Sequence, residues 1–298
     1  MTMKSWHRAK QLATFSIVAF DPSNGDLGIA VQSKFLAVGA VVPWARAGVG
    51  AVATQSWANT SYGPRGLALM EQGFSAEEVV EKLIAEDENR KLRQVGLVDA
   101  QGQAAAYTGE ECFPWKGHHV GQNYTCQGNI LVGEETVTAI ARSFEECEGE
   151  LADRLIAALR AGQAAGGDSR GKQSAALLVV REKGGYAGFN DRYVDLRVDD
   201  HPDPIEELAR LLELHKLYFL EPRAEDLIKI EGPVAEQIQV ILAQQGYYQG
   251  PINGIYDEDT REALVAFCRI ENLEERLRED DTIDGVVLKF MRERFGHE

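Results

Sequence analysis

One threonine in this sequence has the position and the chemistry of a nucleophile. Thr14 opens the first apolar run of the chain, TFSIVAFD, which predicts a β-strand. A threonine at the N-terminus of a chain can attack an amide, because its own α-amine then acts as the general base. Residues precede Thr14 in this sequence, so this chemistry requires either cleavage after Ala13 or a protein whose first residue is Thr14. The alternative is a β-branched residue that only begins a strand.

A group of amides and hydroxyls follows a later predicted strand. The segment TQSWANTSYG contains Gln55, Ser56 and Asn59, which we select as substrate-binding candidates. Amide and hydroxyl donors at such a place could stabilise an oxyanion or hold an amide substrate. The alternative is that Asn59 and Ser61 only cap the next helix.

The sequence contains no complete motif for nucleotide binding or for a serine nucleophile. GGDSRGKQ comes near a phosphate-binding loop, but Gln173 stands where a magnesium-binding hydroxyl is required. The loop also follows a predicted helix and precedes a strand, the reverse of a phosphate loop. No G-x-S-x-G elbow is present, and His118 and His119 are interpreted as loop residues. We therefore expect no metal and no cofactor.

Composition excludes several classes of protein. The chain has 298 residues, with 47 acidic and 31 basic ones, so its net charge is −16. A nucleic-acid binder needs a basic face, so no nucleic-acid partner is expected. No run of 18 apolar residues occurs, so no membrane span is expected. The basic start of the chain lacks the apolar stretch of a secretory signal, and the four cysteines are scattered, so we expect a cytoplasmic protein.

The order of the predicted elements indicates the fold class. Strands are predicted in adjacent runs, separated by runs of helices, so the pattern favours antiparallel sheets covered by helices, an α+β fold. Ser75 followed by Glu78 predicts a capping box at the start of one helix.

Three blocks of the sequence carry a resemblance to a known family. The run from Thr14 to Gly73, together with CQGNILVG and GGDSRGKQSAALLVV, resembles the domain-of-unknown-function 1028 family. That family looks like a member of the Ntn-hydrolase superfamily, which includes proteasome β-subunits and penicillin acylases. The resemblance implies a four-layer αββα sandwich over residues 14–220 and amide hydrolysis by an N-terminal nucleophile.

The same resemblance implies roles for four residues. Thr14 matches the place of the nucleophile, and Asp168 matches an aspartate that supports the nucleophile's amine. Ser33 and Lys34 match a small and a basic residue at the end of the return strand, where Gln32 replaces an acidic residue. The lysine that lowers the nucleophile's pKa in proteasomes is missing, and Lys34 is our substitute. Structurally, Lys34 could equally be a solvated lysine and Asp168 a turn residue.

The C-terminal part of the chain has a second resemblance. Residues 234–298 are similar to peptidoglycan-binding domains through AEQIQVILAQQGYYQGPINGIYDEDTREALVAF. Tyr247, Tyr248 and Asn253 are the candidates for its ligand face. The region from Glu221 to Glu298 holds 18 acidic and 9 basic residues, and a protein-docking or oligomer-stabilising role is the alternative.

These observations lead to two hypotheses. The first is an amidohydrolase that uses Thr14, Lys34 and Asp168 on a small amide or peptide-like substrate, held by Ser33, Gln55, Ser56 and Asn59. The second is a non-catalytic binding or scaffold protein that keeps the fold. In both, we expect a homo-oligomer, with a cell-wall fragment or a protein as partner of the C-terminal domain.

Overall fold

The structure is a computed structural model, and it describes residues 14–296. The cleavage site after Ala13 and the prediction that the start is not a secretory signal depend on residues 1–13, which lie outside the described residues. The chain divides into two compact units between Leu211 and Leu212.

The first unit contains both strands and helices. In chain order these are β1 (Thr14–Phe20), β2 (Leu27–Ser33), β3 (Pro43–Arg46), β4 (Gly50–Ser56), α1 (Tyr62–Glu71), α2 (Ala76–Ala85), β5 (Arg93–Asp99), β6 (Ala104–Thr108), β7 (Gly117–Gly121), β8 (Tyr124–Asn129), α3 (Glu135–Glu146), α4 (Leu151–Ala164), β9 (Ser174–Val180) and β10 (Arg192–Val198). Helix α5 (Pro204–Phe219) runs across the division of the chain.

The strands of this unit form two antiparallel sheets. One has six strands in the order β10-β9-β2-β1-β8-β7, and the other has four in the order β3-β4-β5-β6. Neighbouring strands are antiparallel in both sheets. The expected α+β class with antiparallel sheets is confirmed.

The two sheets share a buried apolar core, and the helices pack on their other faces. Val18 and Ile29 of the six-stranded sheet belong to the same cluster as Ala53 and Val98 of the four-stranded sheet. On the opposite face of β2, a side chain at Gly28 would collide with α4, because the helix packs directly on this strand. Helices α1 and α2 pack in the same way on β4 and β6. The strand alternation therefore gives each sheet two buried faces.

The predicted capping box is present at the start of α2. Ser75 Oγ accepts from Glu78 N at 3.3 Å, and Ser75 N donates to the carboxylate of Glu78 at 2.9 Å. Each residue thus satisfies a backbone donor that the helix leaves free.

The structure corrects two sequence-based predictions of local structure. His118 and His119 lie on strand β7, where a loop was predicted, because pairing with β8 supplies the order that GHHVG lacks in its own pattern. The segment from Glu221 to Pro233 was predicted as a polar linker, but it contains β11 (Leu227–Lys229). Its Ile230 is buried in the core of the second unit.

The second unit is mostly helical. After β11 come α6 (Pro233–Gln244), α7 (Glu258–Ile270), β12 (Thr282–Asp284) and α8 (Gly285–Phe295). The two short strands pair antiparallel, and the helices enclose a core that includes Ile238, Leu264 and Phe267. The domain limits 14–220 and 234–298 stay predictions.

Among the residues that the structure describes, no helix has the length and apolar character needed to cross a bilayer.

Candidate active site

Thr14 lies at one end of the six-stranded sheet, between two other strand ends. It is fully buried and pairs with Ser33 of β2 on one side and with Asn129 of β8 on the other. Its hydroxyl Oγ1 donates to Ser33 Oγ at 3.2 Å. Two of the predicted residues, the nucleophile and its small neighbour, therefore meet in space.

Asp168 belongs to the same end of the sheet. It lies in the loop between α4 and β9 and forms an isolated bridge with Leu131, two residues beyond Asn129. Its side chain is buried, and Oδ2 accepts from the backbone N–H of Lys34 at 2.8 Å. The carboxylate thus holds the chain that follows Ser33.

Arg170 supplies the charge that balances Asp168. Its guanidinium donates to Asp168 Oδ1 at 3.2 Å and to Oδ2 at 3.1 Å, and its backbone N–H donates to Oδ1 at 2.9 Å. A buried carboxylate requires such partners, because desolvation of an unpaired charge is costly. Sequence reasoning missed Arg170, although its spacing of two residues from Asp168 is a usual one for turn contacts.

Lys34 has a different environment from Thr14. Its side chain is exposed, and Nζ donates to the carbonyl of Lys172 at 3.1 Å. The backbone of Lys34, not its ammonium, is the part that contacts another predicted site residue. The role of its charge in activating Thr14 stays a prediction.

Gln55 joins the site through a buried network of amides between the two sheets. The network consists of five fully buried side chains: Ser16, Gln55, Gln94, Gln127 and Asn129. Gln55 Nε2 donates to Gln94 Oε1 at 2.8 Å and lies 3.4 Å from the carbonyl oxygen of Thr14. Gln55 Oε1 accepts from Ser16 Oγ at 2.6 Å.

The sheets come very close together at this network. A Cβ at Gly96 would lie 2.0 Å from Gln127 Oε1, so a larger residue there would displace the side chain of Gln127. Sequence reasoning found Gln55 but missed the other four members of the network. The available signal was the pair of polar residues Gln127 and Asn129, which are two positions apart and so lie on one face of β8.

Ser56 and Asn59 belong to a neighbouring cluster. Asn59 Nδ2 donates to Asp87 at 3.0 Å, and Arg93 pairs with the same carboxylate at 2.8 Å with both side chains buried. Although burial alone would raise the pKa of Asp87, hydrogen bonds from Arg93 and Asn59 lower it to about 2. Arg93 also donates to the carbonyl of Trp57 at 2.6 Å, so this cluster fixes the turn after β4.

Ser56 itself has a left-handed backbone, with φ of 67°. It hydrogen-bonds to the thiol of Cys112, whose pKa is raised by burial. Asn59 is thus engaged in holding Asp87, and the assignment of Ser56 and Asn59 to substrate binding stays a prediction.

Ile130 provides a second unusual backbone position beside the site. It follows Asn129 directly and has φ of 53°, which is rare for a β-branched residue. Ile130 N donates to Phe113 O at 3.1 Å, and Ser169 N donates to Ile130 O at 3.0 Å. Strained residues that are held by their surroundings often mark functional sites.

The candidate ligand face of the second unit is only partly open. Tyr247, Tyr248, Asp259 and Glu262 are among the residues that line a surface cleft of about 510 Å³. The hydroxyl of Tyr248 donates to Pro251 O at 3.0 Å and its side chain is buried. Asn253 Oδ1 accepts from Ile255 N at 3.0 Å, so it shapes the loop. Tyr247 is the half-buried member of the three.

Comparison with protein families assigns most of the chain. The model described as "Family of unknown function (DUF1028)" matches residues 14–208. The chain belongs to this family. A second model, described as "Putative peptidoglycan binding domain", matches residues 218–291. Both resemblances read from the sequence are confirmed.

One solved structure agrees with the family assignment. A crystal structure of a DUF1028 protein from Silicibacter pomeroyi is 32% identical to this chain, with a TM-score of 0.63; the match covers 68% of this chain and 89% of that one. Anbu, an ancestral β-subunit from Yersinia bercovieri, is 12% identical with a TM-score of 0.31, over 66% of this chain and 92% of that one. No curated protein matches the chain.

Proposed function

We propose that this protein is an amide hydrolase whose nucleophile is Thr14, freed by cleavage of the Ala13–Thr14 bond. The observation that carries the proposal is the meeting of three groups at one strand end. The hydroxyl of Thr14 contacts that of Ser33, and the buried carboxylate of Asp168 holds the next residue of the same strand end.

The fold that we propose for residues 14–208 is the four-layer αββα sandwich of Ntn hydrolases. Two observations support it. The sheets share one core, and α1 and α2 pack against one sheet while α3 and α4 pack against the other. The resemblance to the Ntn-hydrolase superfamily adds an analogy of fold, which by itself does not establish an activity.

The reaction would proceed through an ester on Thr14. The hydroxyl oxygen attacks the amide carbon, and its proton passes to the α-amine of Thr14, the base of this class of enzyme. The leaving nitrogen takes that proton as the C–N bond breaks. Water then attacks the ester and gives a proton to the amine. This proton returns to the Thr14 oxygen as the ester C–O bond breaks.

The α-amine is well suited to this task. The pKa of an unperturbed α-amine is about 8, so a substantial fraction is neutral at cellular pH. We propose a small amide or peptide-like substrate. We further propose that Asp168 supports the amine through its negative charge, and that Arg170 pairs with that carboxylate and holds it in place.

A second candidate function is a non-catalytic binding protein. The observation that favours it is the environment of two residues near Thr14. The ammonium of Lys34 donates to the backbone carbonyl of Lys172. By the resemblance, Gln32 stands where proteasome-like chains have an acidic residue. The amide of Gln32 is fully buried, and neither of its polar atoms has a hydrogen-bond partner among the described residues.

The experiment that tests the first proposal compares two starting points of the chain. A gene in which Thr14 follows the initiator Met exposes the amine, because Met before Thr is readily removed in cells. We expect this chain to hydrolyse members of an amide panel, Thr14→Ser to retain part of the activity, and Thr14→Ala to lose it. Failure of both the panel and a hydroxyl-directed covalent probe on the trimmed chain would favour the binding protein.

For the second unit we propose a cell-wall fragment as ligand, bound in the cleft beside Tyr247. Tyr247 stands edge-on to Phe267 with ring centroids 5.7 Å apart, so its ring is held rigidly at the cleft. Tyr247→Ala should abolish retention on cell-wall fragments, whereas Phe113→Ala, at an exposed aromatic residue of the first unit, should not. No retention of the unaltered protein at low salt would favour a protein partner.

We also propose a cytoplasmic homo-oligomer. Its four cysteines, Cys112, Cys126, Cys147 and Cys268, are free thiols, which is typical of a reducing compartment. Tyr186 and Phe189 are 80% and 88% exposed on one loop, a placement common at interfaces. Light scattering of the purified protein, with Phe189→Ser as comparison, tests the oligomer.

A further inference from the structure

The orientation of the buried amides is fixed by the protein backbone. Gln94 Nε2 donates to the carbonyls of Gly117 at 3.1 Å and Gly128 at 2.8 Å. A carbonyl can only accept, so the nitrogen of Gln94 must face these two groups. Its oxygen Oε1 is consequently directed the other way, toward Gln55 and Asn129.

This orientation decides which atom of Asn129 is occupied. Gln94 Oε1 can only accept, so it takes the Nδ2 donor of Asn129, at 2.9 Å. The oxygen Oδ1 of Asn129 remains, and it is buried with no hydrogen bond from any residue that the structure describes. A buried acceptor left without a donor is costly, and such groups in native proteins call for an explanation.

The oxygen Oδ1 of Asn129 belongs to the residue that pairs with Thr14 in the sheet. Asn129 and Thr14 are directly opposite each other on neighbouring strands, so their side chains lie on the same face of the sheet. Phe20 N donates to Asn123 O at 2.8 Å, and hydrogen-bonded pairs alternate along an antiparallel ladder. Thr14 is six residues from Phe20 in the same register, so it also belongs to a hydrogen-bonded pair. Its backbone N–H is therefore directed toward Asn129.

Cleavage before Thr14 would change the donors at this point. In the uncut chain the nitrogen of Thr14 is an amide with one hydrogen. After cleavage it becomes an amine or ammonium, which gains donors that the strand ladder does not use.

We propose that Asn129 Oδ1 is the acceptor that receives the freed α-amine of Thr14, and that Gln94 is the positioning residue that turns this oxygen toward it. The inference rests on the proposed function and adds the residues that hold the base. Asn129 is then a catalytic residue, because it touches the group that moves the proton. Gln94 acts through Asn129.

The proposal predicts an order of amine basicity in the chain that begins at Thr14. All contacts used here lie within residues 14–296, so this chain keeps them. Asn129→Asp places a negative charge beside the ammonium and should raise the pKa of the amine by about one unit or more. Asn129→Leu removes the acceptor from a buried place and should lower it by about one unit.

Two measurements report this order. Nitrogen-15 NMR of threonine-labelled protein follows the amine directly, and the low-pH limb of kcat/KM follows it through activity. The limb should move to higher pH in Asn129→Asp and to lower pH in Asn129→Leu. The charged neighbours on the adjoining loops, Lys34, Asp168 and Arg170, are the same in every variant.

Controls separate positioning from a general loss of structure. Thr125→Val removes a buried hydroxyl from the same strand and face, four residues from Asn129, and should leave the pKa of the amine unchanged. Gln94→Met should lower that pKa, but by less than Asn129→Leu. Gln94→Met combined with Asn129→Leu should match Asn129→Leu alone, because one residue acts through the other. Circular dichroism checks that each variant folds.

The outcomes distinguish the two proposals. Shifts in the same direction for Asn129→Asp and Asn129→Leu, or no shifts in folded variants, would overturn the role of Asn129 and leave the nucleophile proposal standing. If the chain that begins at Thr14 shows no activity and no labelling, the proposed function fails. The NMR titration still decides whether Asn129 holds the amine.

Discussion

Ser33 lies directly across from Thr14 on the neighbouring strand, and the two hydroxyl oxygens are 3.2 Å apart. The register makes this a pair without backbone hydrogen bonds, in which side chains approach most closely. Asp21 and Asp26 flank the hairpin turn in the same register, and Asp21 N donates to Asp26 O at 2.8 Å, which fixes this alternation. The contact between Thr14 and Ser33 is thus a property of the strand register.

Ser33→Ala tests whether this contact orients the nucleophile. In the chain that begins at Thr14, we expect kcat/KM to fall about fivefold, since one hydrogen bond contributes roughly 1 kcal/mol. Steady-state kinetics measures the effect, with Ser23→Ala in the exposed first turn as the comparison. Equal kcat/KM for Ser33→Ala and the unaltered chain would show that the hydroxyl of Ser33 does not assist Thr14.

Asp168→Asn tests the carboxylate that joins two loops of the site. The change removes the charge that Arg170 pairs with and turns one acceptor into a donor. We expect a loss of about 2 kcal/mol in the free energy of unfolding, less than for a completely buried pair because Arg170 is partly exposed. Urea unfolding measures it.

Asp203→Asn is the matched control for that change. Asp203 pairs with Lys172 at 2.7 Å, but both side chains are substantially exposed. Such a pair contributes about 0–1 kcal/mol. If both variants lose the same amount, the buried carboxylate of Asp168 has no special part in stability.

The pair of Asp87 and Arg93 predicts an acid-sensitive contribution to stability. The pKa of Asp87 is about 2 in the folded chain, below its ordinary 3.8. The ionised form therefore favours folding above about pH 4, and this contribution is lost as pH falls toward 2. Between pH 5 and 2, the unaltered protein should lose about 2 kcal/mol more than Asp87→Asn in urea unfolding. Parallel curves for the two proteins would contradict the assignment.

Arg276 connects three parts of the second unit. Its guanidinium pairs with the buried Asp284 and donates to the carbonyls of Lys216 and Leu217, at 2.6 and 2.7 Å, at the end of α5. Arg276→Met should cost about 3 kcal/mol, because it leaves Asp284 buried without its partner. Arg278→Met, at an exposed pair, should cost far less, and differential scanning calorimetry compares them. Similar unfolding temperatures for both variants would speak against this connection.

Local patterns allowed much of the first unit to be predicted from the sequence. Strands β1 and β2 are mostly apolar runs that are joined by a Pro-Ser-Asn-Gly turn. Ser75 with Glu78 marks the start of α2. These features depend on residues a few positions apart. Strand β7 could not be found in this way, since only its partner β8 makes it a strand.

The residues of the candidate site could be predicted only in part. Thr14 was selected first from its place at the start of a strand, Ser33 and Asp168 were selected from the resemblance, and the structure brings the three to one strand end. The direction of the Lys34 side chain and the partners of Gln55 depend on which strands of two sheets face each other. A single sequence without its fold does not contain that information.

The amide network also determines what a pH profile of this protein would report. Its five members, Ser16, Gln55, Gln94, Gln127 and Asn129, carry no group that gains or loses a proton between acid and base. The donor and acceptor roles of these groups around Thr14 therefore stay the same over the working range of pH. In the proposed enzyme, the α-amine of Thr14 can therefore gain or lose its proton without rearranging the groups that hold it.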